Sequence, residues 1–137
     1  MNKKLKKVFI KPQSNIRKSM QLIKDNGLGG LIVVDKNNYL LGTLTDGDLR
    51  KFLLKKNDLN EKIDKIYNKK SKYITKSYFS KKKIVSLFDK YKISFLPVIN
   101  KNKKVVDFIT KEKIKKTKHR VIHNLHKIPV IIMAGGF

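Results

Sequence analysis

Residues 42–49, with the sequence GTLTDGDL, hold side chains suited to binding a small polar ligand. Thr45 and Asp48 stand three positions apart, where an apolar run gives way to a helix-like stretch. This spacing is that of a capping box, in which both side chains stabilise a helix start. The same pair could instead bind a ribose, because a carboxylate accepts hydrogen bonds from both hydroxyls of a diol, and a helix start suits a phosphate. The residues alone leave both interpretations open.

The chain is strongly basic, with 34 Lys and Arg against 10 Asp and Glu and a formal net charge of +24. Only three of the basic residues (Arg17, Arg50 and Arg120) are Arg, the side chain that reads base edges and binds phosphates with two donors. The lysines are spread along the whole chain. We therefore predict a solvated basic surface that attracts anions, without specific nucleic-acid binding.

The absence of cysteine among the 137 residues excludes disulfides, thiolate metal sites and cysteine nucleophiles. No apolar run approaches the ~18 residues of a membrane helix, and the N-terminus lacks the features of a secretion signal. We therefore expect a cytoplasmic protein with no membrane partner. His119, His123 and His126 would share a helix face, but basic residues crowd them and no acidic partner is near. This segment is interpreted as a linker rather than a zinc site, and no metal is expected.

An internal repeat runs through the sequence at a constant offset of 65 residues. Residues 31–37 fall on residues 96–102, and residues 40–45 fall on residues 105–110. Apolar positions at helical spacing upstream of these segments also coincide. The order of patterns is therefore the same in both copies.

Each copy predicts a β-α-β-β-α unit. Its first helix is capped by Ser14 or Ser80, and its closing helix begins at Thr45 or Thr110. A unit of about sixty residues is too small for a robust core of its own. We therefore predict an α+β fold in which two units pack with pseudo-twofold symmetry and leave a ligand cleft between them. The predicted domains are a first repeat at residues 1–64, a second repeat at 65–118, and a linker with a further strand at 119–137.

Four segments carry a family resemblance: GGLIVVD at 29–35, LGTLTDGDLR at 41–50, ISFLPVIN at 93–100 and FIT at 108–110. Over residues 8–118 the chain resembles a tandem CBS-domain pair, which takes its name from the repeat in cystathionine β-synthase and is also called a Bateman module. The resemblance implies a regulatory module that binds an adenine nucleotide (AMP, ADP or ATP) in the cleft between the repeats. It also implies a homodimer that pairs through the helices.

The resemblance assigns roles to particular residues. The Thr matching Thr45 contacts ribose or phosphate in this family, and the Asp matching Asp48 holds the ribose. The other ligand residues that it implies are the base slot Ile10, Lys11, Gly30 and Leu31, the phosphate partners Arg50 and Lys11, and Thr110 as the counterpart of Thr45.

The second copy departs from this pattern. Asp107 stands where the first copy has Gly42, and Lys113 stands where it has Asp48. A lysine has no acceptor for a ribose hydroxyl and cannot complete a capping box. We therefore expect at most one of the two pseudo-symmetric sites to bind a nucleoside in the usual way.

Residues 128–137, IPVIIMAGGF, form an apolar run that enters paired glycines. This pattern is similar to the opening of the sugar-1-phosphate nucleotidyltransferase family. The resemblance implies that Gly135 and Gly136 belong to a triphosphate loop of a catalytic domain that uses Mg²⁺. We expect the chain to be the N-terminal regulatory part of such an enzyme, cut at the start of its catalytic domain, with no catalytic residues of its own.

Two other functions stay open on the sequence. A structural dimerisation module with an empty cleft is consistent with Lys113 in place of the ribose-binding Asp. Nonspecific nucleic-acid binding through the basic surface would show a steep loss of affinity with salt.

Overall fold

Each half of the described chain forms one three-stranded sheet flanked by helices. The computed structural model describes residues 3–76, 80–91 and 93–118. These divide into two compact units, with the boundary between Ser71 and Lys72. The first unit contains α1 (Lys3–Lys6), β1 (Phe9–Ile10), α2 (Ile16–Asn26), β2 (Gly30–Val34), β3 (Leu40–Thr45), α3 (Asp46–Lys55) and a 3-10 helix (Ile63–Lys65). The second contains β4 (Ile74–Thr75), α4 (Lys81–Tyr91), β5 (Phe95–Ile99), β6 (Val105–Thr110) and α5 (Lys111–Lys118).

The two sheets have the same topology and register. In each, the central strand pairs in parallel with the first strand and antiparallel with the third. Gly30 faces Thr45 in the first unit, and Phe95 faces Thr110 in the second, so these strands keep the offset of 65 residues. The breaks in strand register between Val33 and Val34 and between Val98 and Ile99 are also 65 residues apart. The predicted α+β fold of two β-α-β-β-α units is confirmed.

The turns between the paired strands are also equivalent. Asp35 Oδ1 accepts hydrogen bonds from the N–H groups of Asn37 and Tyr39 at 2.8 and 3.0 Å. Asn100 Oδ1 accepts the same pair of bonds in the second unit, at 2.9 and 3.0 Å. Each turn then needs a residue in the left-handed region, supplied by Asn38 (φ 67°) and Lys103 (φ 65°). Asn tolerates that conformation better than Lys, so the second turn is the more strained.

The core of each unit lies between its sheet and its helices. Leu31, Val33 and Leu44 pack with Ile16 and Leu49 in the first unit. The equivalent cluster of the second unit holds Ile74, Ile84, Phe88, Leu96, Val98, Ile109 and Ile114. Every residue of the two central strands is buried, which explains why both read as continuous apolar runs in the sequence.

One predicted helix cap is wrong. Asn15, not Ser14, caps α2, with its side chain accepting from the N–H of Lys18 at 2.9 Å. The carbonyl of Ser14 accepts from the N–H of Ile63 at 2.9 Å, so the backbone of Ser14 contacts the 3-10 helix instead. Ser80 directly precedes α4, and its Oγ accepts from the N–H of Lys83 at 3.4 Å, as predicted. No helix within the three described ranges is long and apolar enough to cross a membrane.

Candidate functional site

Thr45 and Asp48 form a reciprocal capping box where β3 passes into α3. The Asp48 N–H donates to Thr45 Oγ1 at 3.2 Å, and the Thr45 N–H donates to Asp48 Oδ2 at 3.0 Å. Both side chains are half-buried. The structural interpretation of this pair is therefore correct, and any ligand must bind to a helix start that is already capped.

The cap uses part of the hydrogen-bonding capacity of this helix start. The Asp46 N–H donates to the carbonyl of Gly29 at 2.9 Å, and the Asp48 N–H is held by Thr45. Within the described residues, the Gly47 N–H and Asp48 Oδ1 are left without a hydrogen-bond partner. A ligand can therefore donate to Asp48 Oδ1 and accept from the Gly47 amide, while Asp48 Oδ2 retains one lone pair.

The predicted base-slot residues separate into different environments. Gly30 faces Thr45 across the β2–β3 pair, so it lies beside the capping box. Ile10 and Leu31 are 3% and 0% exposed and belong to the core of the first unit. Their side chains therefore pack inside this unit, and their backbone atoms are buried with them.

Lys11 does not lie near the capping box. Its Nζ donates to the carbonyl of Asp35 at 2.9 Å, just beyond the end of β2. Gly30 begins that strand, and five residues along a strand span roughly 16 Å. The structure therefore brings Gly30, Thr45 and Asp48 together and holds Lys11 at the other end of the sheet.

Arg50, the other predicted phosphate partner, forms an ion pair with Asp46. Its Nη2 lies 2.9 Å from Asp46 Oδ2, one helical turn back along α3. The two side chains are 77% and 48% exposed, so the pair is solvated and weak. The i, i+4 spacing of these opposite charges is the sequence signal that indicates the contact.

The start of α5 reproduces only half of the capping box. Thr110 Oγ1 accepts from the N–H of Lys113 at 3.1 Å, and the N–H of Lys111 donates to the carbonyl of Ser94 at 2.9 Å. Both bonds have equivalents at Thr45 and Gly29 in the first unit. The reciprocal carboxylate is missing, because residue 113 is lysine.

We expect Lys113→Asp to raise the free energy of unfolding by about 1 kcal/mol, because it completes the capping box and replaces a cation with an anion in the first turn. Urea denaturation at fixed ionic strength measures the change. Lys101→Asp in the turn between β5 and β6 is the control, since it makes the same charge change at an exposed position outside any helix start. An equal gain in both variants would assign the effect to the net charge of the chain and contradict the cap.

A cavity of about 380 Å³ lies in the second unit, beside β4 and the start of α4. It is lined by Tyr73, Ile74, Thr75, Ser80, Lys83 and Ile84. Ile74 pairs with Val98 as Ile10 pairs with Val33, so the cavity adjoins the second unit's equivalent of the predicted base slot. No sequence pattern predicts this cavity, because a groove leaves no periodic signal.

A cluster of two lysines surrounds the exposed side chain of Tyr91 at the end of α4. Lys72 Nζ lies 4.4 Å and Lys90 Nζ 5.4 Å from the centre of its ring. The positive charge of Lys72, followed by that of Lys90, lowers the pKa of the Tyr91 phenol below its usual value. The cluster is part of the basic surface predicted from the composition.

The remaining candidate residues cannot be placed. His119, His123, His126, Gly135 and Gly136 lie outside the described residues. Among the residues that are described, no group of three or more His, Cys, Asp or Glu side chains could hold a metal ion.

Comparison with known proteins is consistent with the repeat and its fold. Residues 1–55 match the family model of the CBS domain. Arabinose 5-phosphate isomerase KdsD of Francisella tularensis is 33% identical over 103 residues, which is 74% of this chain and 31% of the isomerase. The chain spans under a third of the length of the curated relatives that it matches.

Solved structures extend the likeness to both units. The CBS-domain pair of protein MJ0100, in complex with 5′-methylthioadenosine and S-adenosyl-L-methionine, has a TM-score of 0.70 at 22% identity and covers 81% of this chain and 86% of its own. CBSX2 in complex with AMP has a TM-score of 0.69 at 20% identity, with 80% and 85% covered. The chain therefore has the fold of a tandem CBS-domain pair, whose first repeat matches the CBS family model.

Proposed function

We propose that the chain is a regulatory module that binds an adenine nucleotide, AMP, ADP or ATP, at the β3–α3 junction of its first repeat. The observation that carries this proposal is the placement of Thr45, Asp48 and Gly30 around one helix start. Asp48 Oδ1 would accept from a ribose hydroxyl, and the Gly47 N–H would donate to an oxygen of the ligand. Gly30 is buried and pairs with Thr45, so it holds the start of β2 beside them.

Two relatives of the same fold support the choice of adenosine compounds. One was crystallised with AMP and the other with 5′-methylthioadenosine and S-adenosyl-L-methionine. Thr110 would play the part of Thr45 in the second repeat, but Lys113 removes the ribose acceptor there. We therefore propose one nucleoside site per chain, in the first repeat.

Thermal unfolding against AMP, ADP, ATP, GTP and CTP, at low and high salt, tests the proposal. A ligand at a hundredfold excess over its Kd adds about 2.7 kcal/mol to the free energy of unfolding, a shift of several degrees in Tm. We expect a shift for the adenine nucleotides that survives high salt. Equal shifts for all triphosphates that vanish with salt would indicate charge attraction alone and favour the nucleic-acid alternative.

Asp48→Asn is the variant of choice for the site. Its amide oxygen can still accept from the Thr45 N–H, so the helix cap is kept while the charge and one acceptor are lost. We expect adenine-nucleotide affinity to fall at least about tenfold, the usual scale for a charged hydrogen bond. Asp64→Asn is the control, because it removes an equal charge at an exposed position near Ser14. This position lies at the end of α2 that is far from the capping box. Unchanged binding in Asp48→Asn would overturn the site.

A structural dimerisation module is the second candidate, favoured by Lys113 in the second repeat. It predicts no thermal shift with any nucleotide, and a dimer by light scattering that Asp48→Asn leaves intact. The regulatory proposal also includes a homodimer formed through the helices, so the dimer alone does not separate the two. Nucleotide binding does.

We further propose that the module acts in the cytoplasm on an attached sugar-1-phosphate nucleotidyltransferase domain, with Mg²⁺ required only there. The support is the sequence of residues 128–137, with Gly135 and Gly136 in the triphosphate loop. The test is pyrophosphate release by a longer chain that includes this domain, from a sugar 1-phosphate and each nucleoside triphosphate, with and without AMP. No release with any pair of substrates would overturn the assignment.

A further inference from the structure

The start of α3 carries two carboxylates beside the amide that would meet the ligand. Asp46 and Asp48 are both in the first helical turn, on either side of Gly47. The Asp46 side chain is 48% exposed, and its N–H is already held by the carbonyl of Gly29. Negative charge here satisfies the helix dipole before any ligand arrives. A negative charge that a ligand brings to this turn would therefore be opposed by Asp46.

A cation one turn along α3 from this helix start forms an ion pair with Asp46. Arg50 Nη2 lies 2.9 Å from Asp46 Oδ2, so the guanidinium neutralises Asp46 instead of facing outward alone. A phosphate that recruits Arg50 must break this pair and expose the Asp46 charge. Asp46 thus opposes phosphate charge in one of two ways: it holds Arg50 while the pair is intact, and it repels the phosphate once the pair is broken.

We infer that Asp46 is a specificity-determining residue that selects nucleotides of low phosphate charge, with affinity in the order AMP, ADP, ATP. This inference rests on the proposed adenine-nucleotide site at Thr45 and Asp48. It sets the ligand class of that site as an adenosine compound with one phosphate or none. The site would then respond to the phosphorylation state of the nucleotide as well as to its base.

Calorimetric titration of the wild-type chain with AMP, ADP and ATP, with EDTA to exclude Mg²⁺ and at fixed ionic strength, tests the order. A charge near a half-exposed carboxylate changes affinity by about twofold to fivefold. We therefore expect a loss of that size for each added phosphate. Asp46→Asn should improve ATP binding by about fivefold more than AMP binding, because it removes the repulsion and releases Arg50.

A double-mutant cycle with Arg50→Gln separates the two parts of the effect. Arg50→Gln alone leaves Asp46 unneutralised and should weaken ATP more than AMP. Asp46→Asn with Arg50→Gln should fall between the two single variants. Asp64→Asn makes the same charge change at the far end of α2, an 11-residue helix about 16 Å long, and should leave the ATP-to-AMP ratio unchanged.

The outcomes separate this inference from the proposed function. Adenine-selective binding with equal affinities, or with ATP the tightest, overturns the inference and leaves the site standing. So does an Asp46→Asn variant that changes AMP and ATP by the same factor. Binding of no adenine nucleotide by the wild-type chain overturns both.

Discussion

Gly42→Ala is expected to lower the free energy of unfolding of the first repeat by about 3 kcal/mol, through overpacking and the loss of edge hydrogen bonds. A Cβ at residue 42 would overlap the carbonyl oxygen of Asn68 and lie 2.8 Å from Cδ2 of Tyr67. Asn68 and Thr43 exchange two backbone hydrogen bonds, at 2.8 and 3.1 Å, across the outer edge of β3. The extra methyl group would push Tyr67 and Asn68 away from β3 and expose the outer edge of that strand.

Gly47→Ala is the matched control for that substitution. Its Cβ would meet only Thr45 Oγ1, at 3.7 Å, which is an ordinary contact. Alanine in a helix is favoured over glycine by up to ~1 kcal/mol, so Gly47→Ala should be neutral or stabilising. Urea denaturation compares the two, with hydrogen exchange at residues 43 and 68 as a local readout. A Gly42→Ala cost below about 1 kcal/mol would contradict the close packing of this edge.

The second repeat shows how a different residue is accommodated at the same place. Asp107 replaces Gly42, and its Oδ1 accepts from the N–H of Phe108 at 2.8 Å. Phe108 is the counterpart of Thr43, whose N–H donates to Asn68 in the first repeat. Asp107 thus offers this N–H a side-chain acceptor that a glycine at the same place cannot supply. The exchange of glycine for aspartate was visible in the sequence, but its structural meaning required the contact with Asn68.

The strands and helices could be predicted because two independent copies carry the same periodic signals. An apolar run such as 31–34 is ambiguous alone, but its match at 96–99 with the same flanking turn resolves the ambiguity. The 3-10 helix at Ile63–Lys65 was missed because a single turn leaves no periodicity. The cap at Ser14 was wrong because Ser14 and Asn15 are both good capping residues, and the pairing of Ser14 with Ile63 decides between them.

The candidate site was only partly predictable. The capping box at Thr45 and Asp48 follows from local spacing, so the sequence is sufficient to find it. The positions of Lys11 and Arg50 depend on where flexible side chains find partners, at Asp35 and Asp46. A sequence pattern shows only how far such cations lie from the site along the chain. The sheet register determines which of them lie near the site in the structure.

Leu31→Ala and Leu96→Ala are each expected to lower the free energy of unfolding by about 3 kcal/mol. Both leucines are 0% exposed, and each faces a buried aliphatic partner across the sheet, Leu44 or Ile109. Because the register is the same, the two cavities should be of similar size.

Urea denaturation of both variants, with hydrogen exchange resolved for each repeat, measures these two losses. Leu54→Ala is the control, since this side chain is 88% exposed and its removal should change stability by less than ~0.5 kcal/mol. A Leu96→Ala cost below half that of Leu31→Ala would show that the second core tolerates a void the first does not. The duplication would then be one of backbone topology without equal packing. Comparable losses would mean that the second repeat has kept its core intact, so that its divergence from the first at Lys113 and Asp107 is confined to the start of α5 and the edge of β6.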